Sequence, residues 1–65
     1  MIDWFAHVRI KETGITGIVV DIGTVKGIER FEVESDEKGT PGGFGDDDSW
    51  KLYGCVESEL EVIEE

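Results

Sequence analysis

The chain has 65 residues, a single cysteine and a formal charge of −10 at neutral pH. This length allows one domain, residues 1–65, with a small core and modest net stability. One cysteine excludes a disulfide-stapled scaffold, and dense negative charge disfavours direct contact with nucleic acid or an anionic membrane.

Met1 to Phe5 is a short apolar lead-in around Asp3, in which Trp4 and Phe5 are expected to close one end of the core. Val8 and Ile10, then Ile18, Val20 and Ile22, are apolar at every second position. Arg9, Lys11 and Asp21 alternate with them, and Val19 is the one exception. Period two marks a half-buried strand, with one face in the core and the other in water. It predicts strands near residues 6–11 and 17–22. Between them, Thr13-Gly14-Ile15-Thr16-Gly17 carries glycines that can take the positive φ of a tight reversal. Ala6 continues the inward series, while His7 points outward beside Arg9 and Lys11. With no second His and no Cys nearby, His7 reads as a solvated side chain.

The second strand is expected to end at Gly23, followed by a reversal over Thr24-Val25-Lys26-Gly27. The third runs from Ile28 to Ser35, with Phe31 and Val33 inward and Arg30, Glu32 and Glu34 outward. Ile28 is out of phase with Phe31 and marks a turn or a bulge. Asp36 to Ser49 has four glycines, the only proline and five acidic residues, and no helix or strand period. It reads as a long, flexible acidic loop. Trp50 to Gly54 resumes the alternation, with Trp50 and Leu52 inward and Lys51 and Tyr53 outward. Cys55 reads as a small core or edge residue. Val56, Leu60 and Ile63 suit a short helix, or else a one-turn 3₁₀ link at residues 56–59 and a last strand at residues 60–63, the arrangement preferred here. The expected core is Val8, Ile10, Ile18, Val20, Phe31, Val33, Trp50, Leu52 and Leu60.

This order of pieces resembles the SH3-like small barrels. Gly17-Ile18-Val19-Val20-Asp21-Ile22 is similar to the strand after the glycine turn in KOW-type domains. Glu57-Ser58-Glu59-Leu60-Glu61-Val62-Ile63 resembles the turn and strand that close many such barrels. The resemblance implies an all-β, five-stranded SH3-like barrel with one long acidic, Gly-rich loop. This fold hosts many unrelated roles, so the role must come from the site.

Signals for chemistry are sparse. Gly42-Gly43-Phe44-Gly45-Asp46-Asp47-Asp48-Ser49 partly matches a calcium-binding repeat, but Ser49 stands where an apolar residue is required, and the repeat works in stacked copies. No His lies near Ser or Cys to activate a nucleophile, and residues 39–45 lack the Lys and Ser/Thr of a phosphate loop. Neither a catalytic centre nor a cofactor or metal site is expected. Charge is concentrated in the second half: residues 1–33 carry a net −1 and residues 34–65 a net −9. The expectation is a cytoplasmic, non-catalytic interaction module that binds a basic protein or peptide. Asp46, Asp47 and Asp48 would attract the partner, and Trp50 and Tyr53 would give a rigid contact surface. The alternatives are a KOW-type accessory domain associated with nucleic acid, and a small structural protein without a dedicated site. The oligomeric state and the partner's identity are not legible.

Overall fold

A computed structural model describes residues 2–63; Met1, at the start of the lead-in, lies outside the described residues. The chain forms one antiparallel sheet of five strands. These are β1 (His7–Ile10), β2 (Thr16–Val25), β3 (Ile28–Lys38), β4 (Trp50–Val56) and β5 (Leu60–Val62). A single 3₁₀ turn, Glu57–Glu59, links the last two, as expected. The spatial order is β4-β3-β2-β1-β5. The sheet is not closed into the expected barrel, because β4 and β5 remain its edges and do not pair with each other.

Both hairpins form where the glycines stand. Gly14 has φ 78°, and its N–H donates to the Ile10 carbonyl at 2.8 Å. The second reversal is tighter than expected. Val25 and Ile28 pair directly, leaving only Lys26 and Gly27 between them, at φ 53° and 79°. Two consecutive positive-φ residues match the twist of the flanking strands, so β2 runs on to Val25 rather than stopping at Gly23.

Val8, Ile10, Phe31, Val33 and Leu60 are buried, as the alternation predicts. Ile18 and Val20 are not: Val19, fully buried, takes their place. The cause is a bulge in β2. Val19 pairs with Val33 and Asp21 with Glu32, so Val20 is an extra residue that reverses the alternation. Ile22 then returns to the inner face opposite Phe31. Ile28, where a turn or a bulge is expected, pairs with Val25 and closes the second turn, and the bulge is in β2.

A second bulge lies in β3, opposite the start of β4. Glu34 pairs with Leu52 and Lys38 with Trp50, so Ser35, Asp36 and Glu37 face the single residue Lys51. The buried Ser35 hydroxyl accepts the Lys51 N–H at 3.0 Å and donates to the Glu37 carbonyl at 2.8 Å. It replaces the ladder bonds that the bulge removes. The register on β3 sets the phase of β4: Tyr53 stands opposite the buried Val33 and Cys55 opposite the buried Phe31, so Lys51 and Cys55 are buried and Tyr53 packs on the core, whereas Trp50 is exposed and Leu52 half-buried. Asp36 to Lys38 belong to β3, so the acidic loop begins at Gly39 rather than Asp36.

Among the described residues no helix or second sheet covers the inner face, yet Val8, Val19 and Val33 have no exposed surface. The sheet must curl over its own inner face to bury them. Gly17 permits that curl, since a Cβ there would stand 2.3 Å from the Glu34 carbonyl oxygen. Ile2 covers part of the core from the N-terminal side. Trp4 and Phe5, expected to close it, are exposed, with ring centroids 6.1 Å apart.

Candidate functional site

The five residues expected to form a binding surface do not share one. Trp50 and Tyr53 lie three positions apart on β4, and the burial alternation puts them on opposite faces of the sheet. Trp50 is exposed and already carries a cation, with the Lys38 Nζ 4.4 Å from its ring centroid. Tyr53 faces inward rather than outward. Its hydroxyl lies 2.7 Å from both the Pro41 carbonyl and the Thr40 hydroxyl. The carbonyl can only accept, so the phenol donates to Pro41 and receives the Thr40 proton. Tyr53 thus ties the acidic loop to the sheet. Asp46, Asp47 and Asp48 are exposed. They sit on a closed turn in which the Asp46 carbonyl accepts both the Ser49 N–H at 3.1 Å and the Ser49 hydroxyl at 2.8 Å.

The loop folds back along the free edge of β4. Phe44 and Leu52 exchange both backbone hydrogen bonds, at 2.8 and 3.0 Å. Gly43 lies against the sheet, where a Cβ would come within 2.5 Å of Lys51 Cβ and 2.7 Å of the Tyr53 ring. An open groove of about 460 Å³ follows this junction. Ile10, Pro41, Phe44 and Leu52 supply apolar lining, Tyr53, Gly54 and Cys55 line the β4 side, and Glu12 and Glu59 contribute carboxylates. The Glu59 carboxylate also accepts the Val56 N–H at 2.9 Å.

Of the expected residues, only Tyr53 reaches this groove. Phe44, Glu12, Gly54 and Glu59 were not expected in a site. One signal was available for Phe44: a large apolar side chain alone among glycines and aspartates. It is 83% exposed in the structure.

The outer face carries a second polar cluster. His7 Nε2 lies 2.6 Å from the Asp36 carboxylate, and Arg9 donates to Glu61 at 2.8 Å. Burial alone would raise the Asp36 carboxyl, but hydrogen bonding to His7 and Thr16 and the His7 charge outweigh it and hold it below its ordinary value. Burial and the nearby Glu59 push the Cys55 thiol up, against a smaller opposing effect of Arg30. A protonated, buried thiol is a poor nucleophile. Among the described residues, no group of three His, Cys, Asp or Glu side chains is placed to hold a metal ion. No helix among them is long and apolar enough to cross a membrane. Compared with protein-family models, curated proteins and solved structures, the chain shows no significant match to any.

Proposed function

We propose that this chain is a non-catalytic protein-interaction module that receives a basic segment of a partner protein in the groove beside β4. The observation that carries this reading is the juxtaposition of apolar lining from Ile10, Phe44 and Leu52 with carboxylates from Glu12 and Glu59. Apolar surface supplies contact area, and carboxylates select Lys or Arg and speed encounter. The net charge of −10 acts in the same direction at longer range. Asp46, Asp47 and Asp48 serve as exposed steering charges, and Trp50 lies outside the groove. The strand order and the 3₁₀ turn before the last strand support an SH3-like origin, with the open sheet as a departure from it.

The test is a titration with a lysine-rich peptide at low and at moderate salt. Binding that weakens as salt rises, and more shallowly in the Asp46→Asn, Asp47→Asn, Asp48→Asn triple variant, supports the proposal. Retention of labelled RNA with no binding of the peptide would replace it with the nucleic-acid reading.

A further inference from the structure

The proposed groove has a backbone component that defines the shape of its ligand. Leu52 directs both its N–H and its C=O to the free edge of β4, where Phe44 takes them. Pairing with β3 is regular from Leu52 to Val56, so the groups two residues on point the same way. The Val56 N–H does so, and Glu59 caps it. Between these two satisfied positions stands Gly54, whose N–H and C=O point out of the sheet. No hydrogen bond from any described residue reaches either group. Gly54 is exposed and lines the groove. A side chain at this position would meet nothing within 4 Å, so the face of the sheet beside it is open.

We infer that Gly54 is a strand-addition site, at which an extended basic segment of a partner protein pairs with the free edge of β4. Phe44 already occupies the neighbouring position with extended backbone, through the same two-bond exchange that a ligand would make at Gly54. The charge of the site fixes the kind of segment. Glu12 and Glu59 lie in the groove, so a strand with Lys or Arg at alternate positions turns all its cations to that one face, against the carboxylates, and its remaining side chains away from it. This inference rests on the interaction reading above and adds the backbone conformation of the ligand to it.

The experiment uses a blocked peptide of alternating Lys and Val, and a counterpart of equal charge N-methylated at every amide. The unmethylated peptide is expected to bind at low salt and to slow exchange of the Gly54 amide. The methylated one is expected to bind about tenfold more weakly, the loss of one to two net hydrogen bonds. Gly54→Pro removes the N–H at an edge position where proline is tolerated, and it should weaken binding of the unmethylated peptide about threefold to tenfold. The methylated peptide keeps the test decisive if this variant melts early, because it leaves the protein unchanged. Equal affinity for the two peptides, with salt dependence retained, would overturn strand addition and leave the acidic module standing. Failure of both peptides to bind at low salt would overturn both.

Discussion

Gly17 and Glu34 are in backbone contact across β2 and β3: a Cβ on Gly17 would lie 2.3 Å from the Glu34 carbonyl oxygen and 2.8 Å from Val33 Cγ1. Gly17 does not take the positive φ that its place after a turn suggests; Gly14 does. Its role is close approach. Gly17→Ala should therefore destabilise the fold by about 1–3 kcal/mol, the range for overpacking a filled site. Gly23→Ala is the control, since a Cβ there meets nothing within 4 Å. It should be neutral or stabilising by up to about 1 kcal/mol. Urea denaturation of the two variants checks the contrast.

Ser35 bridges the β3 bulge through one bond given and one received. Ser35→Ala leaves the Lys51 N–H and the Glu37 carbonyl without these partners, in a buried setting for the former. The expected loss is about 1–3 kcal/mol. Faster amide exchange at Lys51 should accompany it.

Tyr53→Phe removes the two hydroxyl bonds to Thr40 and Pro41 while keeping the ring on the core. We expect a loss of about 0.5–1.5 kcal/mol, and faster amide exchange within residues 39–49 than in the rest of the chain. Uniform acceleration across the sheet would instead mean that Tyr53 acts through the core and not through the loop.

The pH profile follows from charge and from Asp36. Between pH 7.5 and 5.5, acidification reduces self-repulsion in a chain of net charge −10, so stability should not fall. Added salt at pH 7.5 should raise it for the same reason. The Asp36 carboxyl is held below its ordinary value in the folded state. Its contribution is present in full above the unfolded carboxylate pKa of about 3.9 and is lost as pH falls through the lower folded value. Thermal melts should therefore be level or higher at pH 5.5 and should drop below about pH 4. Asp36→Asn should shrink that drop. At the alkaline end, the raised Cys55 thiol contributes stability that begins to be lost above about pH 8.5.

The sequence made the strands, both hairpins and the closing 3₁₀ turn legible, because period-two patterning and glycine placement are local signals. It did not reveal which face several strands bury. Val20 is one extra residue in β2, and Ser35 to Glu37 are surplus opposite Lys51. The one-residue bulge reverses the alternation of β2 and leaves no compositional mark, since Val20 is as good a strand former as Val19, while the phase of β4 is set by its register on β3, a long-range relation. The placement of the site residues depends on the same phase. Assigning Lys51 and Tyr53 to the outer face drew Tyr53 away from the groove that it lines. Closure of the sheet was illegible for a related reason: it depends on whether the edges β4 and β5 meet, a long-range relation that strand patterning does not encode.

The central claim is the location of the binding surface, and chemical-shift mapping of the ¹⁵N-labelled chain with the alternating Lys/Val peptide tests it most directly. The account predicts perturbations concentrated at Ile10, Glu12, Phe44, Gly54 and Glu59, fading as salt is added. Perturbations centred instead on the exposed Val25 and Ile28 at the tip of the β2–β3 hairpin, or on Trp4 and Phe5, would contradict it.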